Sequence, residues 1–266
     1  MTDRIIKNGS MALTAFFVFT ICLCSTLYVK AATPYYYQIK VYHFKTKAQE
    51  NRLDAYLQNA YLPAVHKAGV KSVGVFKPIK QDSLDKKLYL FVPYKTWDAL
   101  ETTDQKIQKD QTYTAAGKDY LDAQYNDPTY NRIETIVLRA FTNAPEPLTP
   151  NLTARKADRI YEMRSYESAT EKYNASKVKM FNAGDEIGIF KSYDFNAVFY
   201  AQVIAGSHMP NLMYMTTFNS MDDNKAKWKL FFADEKFKAL GKMAEYQKNV
   251  SKAESFFLYP TDYSDY

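Results

Sequence analysis

A chain of 266 residues with 47% hydrophobic and 16% aromatic content can bury one large core or two modest ones, and that composition excludes a disordered protein. The formal charge is +6, but residues 1–31 hold Arg4, Lys7 and Lys30 against Asp3, which leaves 32 basic and 28 acidic residues beyond them. The two signs are interspersed, with no basic block or arginine-rich stripe, so the expectation is a mixed solvated surface and no nucleic-acid partner.

The N-terminus reads as a secretory signal: Arg4 and Lys7, an apolar run from Met11 to Val29, then small residues that predict cleavage after Ala31 or Ala32. Thr14, Thr20, Cys22, Cys24, Ser25 and Thr26 dilute the run and weigh against an uncleaved anchor. The expected location is therefore periplasmic or secreted, with no stable membrane insertion after cleavage. Both cysteines would leave with the signal, removing disulfides, thiol nucleophiles and Cys-ligated metals from the mature chemistry.

After Pro34, alternation predicts a strand over about 35–44. Leu53, Leu57, Tyr61 and Ala64 then form a helical stripe from about Lys47, which Pro63 should kink or restart and Gly69 should end. Strands follow at 72–79 and 88–94, and Thr96 is placed to cap a helix through Trp97 and Leu100. The stretch 104–127 reads as helical with a break near Gly117, and 132–141 as a closing strand. Pro145, Pro147 and Pro150 mark a linker. Beyond it the expectation is a strand at 159–167, a helix at 170–181 ending at Gly184, and strands at 186–193, 197–205 and 212–218. Ser220 with Asp223 resembles a capping box, Asp234 starts a second capped helix, and 253–259 is the last strand.

The two parts echo each other. Tyr37-Gln38-Ile39-Lys40-Val41-Tyr42 returns as Tyr161-Glu162-Met163-Arg164-Ser165-Tyr166, and the step from Tyr37 to Leu88 equals that from Tyr161 to Leu212 at 51 residues. Gly74-Val75-Phe76-Lys77 resembles Gly188-Ile189-Phe190-Lys191, a match that makes 194–210 an insert in the second copy and places His208 on it. Glu254 falls where Glu134 does. The divisions are a signal at 1–31, a first repeat at 35–143, a linker at 144–157, a second repeat at 158–260 and a tail at 261–266. Each repeat has the order strand, helix, strand, strand, helix, strand, which is ferredoxin-like. The expected class is α+β: two tandem ferredoxin-like repeats whose sheets meet face to face in a pseudo-two-fold α+β barrel, with the polar residues of the first strands pointing inward.

Tyr161-Glu162-Met163-Arg164-Ser165-Tyr166 is similar to the opening of NIPSNAP domains. Phe181-Asn182-Ala183-Gly184-Asp185-Glu186-Ile187-Gly188-Ile189-Phe190 resembles their helix-to-strand turn, and Lys227-Trp228 with Phe231 their final helix. The second copy matches better, since Gln38 and Lys40 replace Glu and Arg in the first. The resemblance implies a dimeric α+β barrel, a superfamily shared with small cofactor-free monooxygenases, no settled catalytic residues, and a secreted tandem form like those of Bacteroidetes-type bacteria.

If Glu162, Arg164 and Tyr166 face the barrel interior with Gln38, Lys40 and Tyr42, their charges must be paired. The plainer reading is a polar seam joining the halves. The functional reading is a ligand pocket in which Arg164 and Lys40 hold an anionic or carbonyl oxygen, Glu162 completes the set, and Tyr42 and Tyr166 add hydrogen bonds and stacking. Of the three histidines, His66 reads as a solvated helix end and His43 as structural, while His208 is the candidate for acid/base work. No metal spacing, nucleophile elbow or phosphate loop is present, so neither metal nor other cofactor is expected. The leading expectation is an exported NIPSNAP-like protein that binds a small hydrophobic or aromatic ligand, or a protein partner, in the barrel cleft. The alternative is a cofactor-free monooxygenase or isomerase on an aromatic or polyketide-like substrate, using His208, Arg164 and Tyr166. A pure scaffold would instead have its barrel filled by residues such as Phe76, Phe190 and Tyr214, and self-association stays open.

Overall fold

The computed structural model describes Met1 and residues 32–266, and the expected signal segment lies outside the described residues. The eight strands are β1 (Tyr36–Phe44), β2 (Gly74–Pro78), β3 (Lys86–Tyr94), β4 (Arg132–Ala140), β5 (Ile160–Glu167), β6 (Phe199–Ala205), β7 (Asn211–Phe218) and β8 (Lys252–Pro260). They close in the order β1-β3-β2-β8-β5-β7-β6-β4. Each half is thus a ferredoxin-like 4-1-3-2 sheet, and the seams β2–β8 and β4–β6 exchange when the halves are swapped. Closure leaves no unpaired strand edge in the ring. The inner registers also coincide: Tyr37 pairs with Pro93 as Tyr161 pairs with Thr217.

Nine α-helices occur among the described residues: α1 (Lys47–Tyr56), α2 (Leu62–Lys67), α3 (Trp97–Ile107), α4 (Gln111–Ala116), α5 (Lys118–Leu121), α6 (Glu171–Asn182), α7 (Glu186–Ser192), α8 (Met221–Ala233) and α9 (Glu235–Lys242). A capping box of Thr46 and Gln49 starts α1. Pro63 lacks an N–H and its ring crowds the carbonyl four residues back, and the chain responds with a π-helical turn over Leu57–Tyr61 between α1 and α2. Gly69, at φ +102°, supplies the left-handed exit. Thr96, Thr170, Ser220 and Asp234 cap α3, α6, α8 and α9 as their sequence positions suggest.

Three apolar clusters result. One lies between the first sheet and α1–α5, one between the second sheet and α6–α9, and the third fills the barrel. Tyr37, Phe76, Phe91, Tyr161, Phe199 and Tyr266 converge in the barrel, with Phe91 stacked on Phe199 at 5.0 Å. Tyr266 sits 5.9 Å from Phe91 and 6.2 Å from Phe76.

Two expectations are corrected. Residues 186–193 do not form a strand: Glu186–Ser192 is α7, whose Phe190 stacks on Phe231 at 4.4 Å. Ile187, Ile189 and Phe190 suit either period in so short a run, and the likeness to Gly74-Val75-Phe76-Lys77 is accidental. The structural counterpart of β2 is β6, which pairs with β7 as β2 pairs with β3, so 194–210 is not an insert and the added element is α7. The second correction is one of face. Tyr37, Ile39, Val41, Tyr161 and Met163 point into the barrel, whereas Lys40, Tyr42, Glu162, Arg164 and Tyr166 meet the helices. The middle of this eight-stranded barrel is filled by side chains, so the more apolar rows, Tyr37-Ile39-Val41 and Tyr161-Met163, take the interior, and the charged row goes where helices supply polar partners. Of the residues expected to fill the barrel, Phe76 does so, while Phe190 and Tyr214 belong to the helix-side core.

Candidate functional site

The helix-facing row of β5 forms a buried polar network. Arg164 Nη1 donates to Glu162 Oε1 at 2.7 Å and Nε donates to Tyr166 Oη at 3.1 Å. The second Glu162 oxygen accepts from Asn224 Nδ2 at 2.7 Å and Trp228 Nε1 at 2.6 Å, both on α8. The guanidinium lies over the Trp228 ring at 4.5 Å, and Tyr166 shares a 2.8 Å hydrogen bond with Tyr214. Beside them Lys177 Nζ on α6 donates to Glu186 on α7 at 2.8 Å, with both side chains under a tenth exposed. Burial pushes the Glu186 carboxyl above its usual range while Lys177 pulls it back. In the first half the corresponding row is simpler: Lys40 donates to Asp104 on α3 at 3.1 Å, and Tyr42 packs edge-on to Tyr130 at 5.7 Å. These five expected ligand residues thus form two clusters, one in each half, and each charge already has a partner within the protein.

The inward rows behave differently. Register places successive layers along the barrel: His43, Lys87, Arg132, Glu167, Asn211 and Lys252 at its mouth, then Val41, Tyr89, Glu134, Ser165, Met213 and Glu254, then the apolar layer of Ile39, Phe91, Ile136, Met163, Met215 and Phe256. A cavity of about 210 Å³ opens here, walled by strands of both halves and by the loop that carries Ser207 and His208. Its floor is Val41, Ile136, Met163, Met213 and Phe256, and its polar groups are Lys87, Glu134, Ser165, His208, Asn211 and Glu254. Asn211 is 3% exposed; its Nδ2 donates to Ser165 Oγ at 3.0 Å, and its Oδ1 is buried with no hydrogen-bond partner. An unsatisfied buried amide oxygen is costly, and an apolar hollow beside one suits a ligand with a donor.

The mouth charges are unevenly tied. His43 Nδ1 lies 2.9 Å from Asp85 and its Nε2 lies 3.4 Å from Glu134, Lys252 reaches Glu254 at 3.0 Å and Glu167 at 3.3 Å, and Lys87 stands 3.8 Å from Asp85. His208 Nδ1 is 3.2 Å from Glu167 on a side chain 58% exposed, in a left-handed backbone at φ +64°. Burial, with Glu134, Asp85 and Glu254 around it, keeps the proton on the Tyr89 hydroxyl. His66 is exposed in the last turn of α2, as expected, and contacts Asp265 at 2.8 Å. Among the described residues no group of three or more His, Cys, Asp or Glu is arranged to hold a metal ion.

Three larger hollows occur among the described residues: one of about 590 Å³ between residues 143–150 and the Phe190–Phe195 corner, one of about 410 Å³ beside Tyr266 and 68–72, and one of about 370 Å³ beside Gly184, Asp185 and Leu240. None of them is lined by a buried polar side-chain atom without a partner. Of the residues singled out from the sequence, His208 alone lines the mouth cavity. Glu134, Glu254, Ser165 and Asn211 were missed as site residues. The equivalence of Glu134 and Glu254 was the available signal, since two acidic residues at matching positions of a duplicated barrel face one common axis.

Residues 161–265 match the family model described as NIPSNAP. They are a NIPSNAP domain. It holds β5 from Tyr161 onward, α6–α9, β6–β8, the buried Glu162–Arg164 network, and His208, Asn211 and Glu254 of the mouth. Among solved structures, the chain resembles a proposed monooxygenase from Fusobacterium nucleatum subsp. nucleatum (TM-score 0.52, 8% identity, covering 86% of this chain and 93% of that one). It resembles another from Lactobacillus acidophilus in similar measure (TM-score 0.52, 9%, 85% and 94%). These show a shared barrel fold across both halves. A NIPSNAP family protein of unknown function from Agrobacterium tumefaciens is 21% identical, covering 42% of this chain and 96% of that one at a TM-score of 0.36. No curated protein matches at a significant level.

Proposed function

We propose that the protein binds a small, single-ring hydrophobic or aromatic molecule in the barrel mouth, with the ring on the Met163–Met213–Phe256 floor and a hydrogen-bonding head toward Asn211. The observation that carries this reading is the 210 Å³ cavity with an apolar floor, lined on its polar side by Asn211, whose amide oxygen is buried and without a partner. Its size is below that of drug-like pockets, hence the single ring. The Glu162–Arg164–Tyr166 and Lys40–Tyr42 rows serve as framework in this account, because their partners are internal. The first half is read as a diverged second copy of the NIPSNAP domain, on the strength of its equal strand order and register. Export to the periplasm follows from Arg4, Lys7 and the apolar run after them; among the described residues no helix is long and apolar enough to cross a membrane.

A second reading, cofactor-free oxygenation or isomerisation of the same ligand, draws on His208 at the cavity rim beside Glu167 and on the names of the two barrel neighbours. Native mass spectrometry of the protein purified from the periplasm tests the binding reading. Wild type should release a small organic molecule on denaturation, or take up added 4-ethylphenol, while Met213→Trp, which fills the floor, should do neither. Equal behaviour of the two proteins refutes it. Oxygen uptake on addition of the released molecule, lost in His208→Ala, separates the second reading from the first.

A further inference from the structure

We infer that the head group recognised at the barrel mouth is a cationic amine, so that the ligand is a small arylalkylamine whose ammonium lies between Glu134, Glu254 and Asn211. This deepens, and rests on, the reading of the mouth as a ligand seat. The second layer in from the mouth contains two carboxylates, Glu134 and Glu254, one from each half, and no cationic side chain. Every cation nearby belongs to the outermost layer, where each is already engaged: Lys252 with Glu167 and Glu254, Lys87 near Asp85, and Arg132 with the carbonyl of Asn131. His43 stands between Asp85 and Glu134, and His208 against Glu167. Glu134 has no lysine or arginine partner among the ion pairs of the described residues.

What the cavity offers is therefore acceptors: the Glu134 carboxylate, the Glu254 carboxylate that Lys252 also reaches, the unpartnered Asn211 Oδ1 of the outer layer, and the hydroxyls of Ser165 and Tyr89. An ammonium has three donors and no acceptor, which matches this set, and its charge is matched by the Glu134 and Glu254 carboxylates, whose side chains are 51% and 39% exposed at the mouth. A carboxylate or phosphate head would instead meet Glu134 and Glu254 as like charges, with only outer-layer lysines to draw on. The apolar floor one layer deeper, Ile136, Met163 and Phe256, then receives the ring.

Isothermal titration calorimetry with three probes of nearly equal shape tests this: tyramine, 4-ethylphenol and 4-hydroxyphenylacetate. Tyramine should bind at least about tenfold more tightly than either of the others, the difference expected for charge-assisted hydrogen bonds. Glu134→Gln and Glu254→Gln should each remove most of that advantage while leaving 4-ethylphenol unchanged, a control that also reports an intact fold. Met213→Trp should abolish binding of both. If 4-ethylphenol or 4-hydroxyphenylacetate binds as well as tyramine and Met213→Trp removes it, the seat is real but the amine inference is overturned. If no probe binds, or if binding survives Met213→Trp, the seat itself is refuted along with its ligand.

Discussion

Arg164→Met separates framework from ligand seat. The Arg164 side chain is 18% exposed and that of Glu162 only 2%. Substitution removes the 2.7 Å ion pair, the 3.1 Å hydrogen bond to Tyr166 and the cation–π contact with Trp228 at 4.5 Å. Deleting one partner of a buried pair costs about 3–5 kcal/mol. Glu162 would keep Asn224 and Trp228 as donors and methionine would refill part of the volume, which places the expected loss near the lower bound, about 3 kcal/mol. Urea unfolding followed by far-UV circular dichroism measures it, with an unchanged denaturant slope. Tyramine affinity should not move, because Arg164 and the mouth lie on opposite faces of β5. Replacing Glu162 by leucine in the same variant should recover part of the loss. A loss below about 1 kcal/mol, the range of an exposed pair, would refute the framework role. Lost affinity in a protein of undiminished stability would show that the ligand contacts the helix-side network.

Lys177→Met should cost about 3–5 kcal/mol at neutral pH by stranding Glu186, which is 2% exposed. Because burial raises the Glu186 carboxyl above its ordinary 4.5, the folded state holds that proton more tightly than the unfolded one. Its contribution thus falls as pH rises through and above that value, and the variant's deficit should shrink when unfolding is measured at lower pH. Phe91→Ala, at a site 1% exposed between Tyr37 and Phe199, should lose about 3–5 kcal/mol in the same assay. Thr46→Ala should lose about 1 kcal/mol by breaking the α1 capping box, with ligand affinity unaffected.

The strand order was legible because Tyr37–Tyr42 and Tyr161–Tyr166 alternate cleanly and recur with equal spacing to Leu88 and Leu212. The helix starts at Thr96, Ser220 and Asp234 were legible too, since these residues act through local side-chain-to-backbone bonds, as the caps Thr46 and Thr170 also do. The facing of β1 and β5 was not. Alternation shows that two environments exist without saying which is the barrel, and the decision depends on Asn224, Trp228 and Asp104, which lie 60 or more residues away and come close only through folding. Misassigning that face moved the expected pocket from the Val41–Ser165 side to the Glu162–Arg164 side. Residues 186–192 show a related limit: a short apolar run beside Gly188 has no period of its own, and packing of Phe190 against Phe231 and Tyr214 makes it a helix.

The most direct test of where the ligand sits uses methionine methyl groups as reporters. Met163 and Met213 line the mouth cavity, Met215 lies one layer deeper beside Met163, and Met180 lies on the helix side with Lys177 Nζ 3.4 Å from its sulfur. In protein labelled with ¹³C at the methionine methyls, titration with tyramine should shift Met163 and Met213 progressively to saturation and leave Met180 and the exposed Met243 in place. Saturable shifts at Met180, with Met163 and Met213 unmoved, would contradict the account and return the seat to the Glu162–Arg164 network.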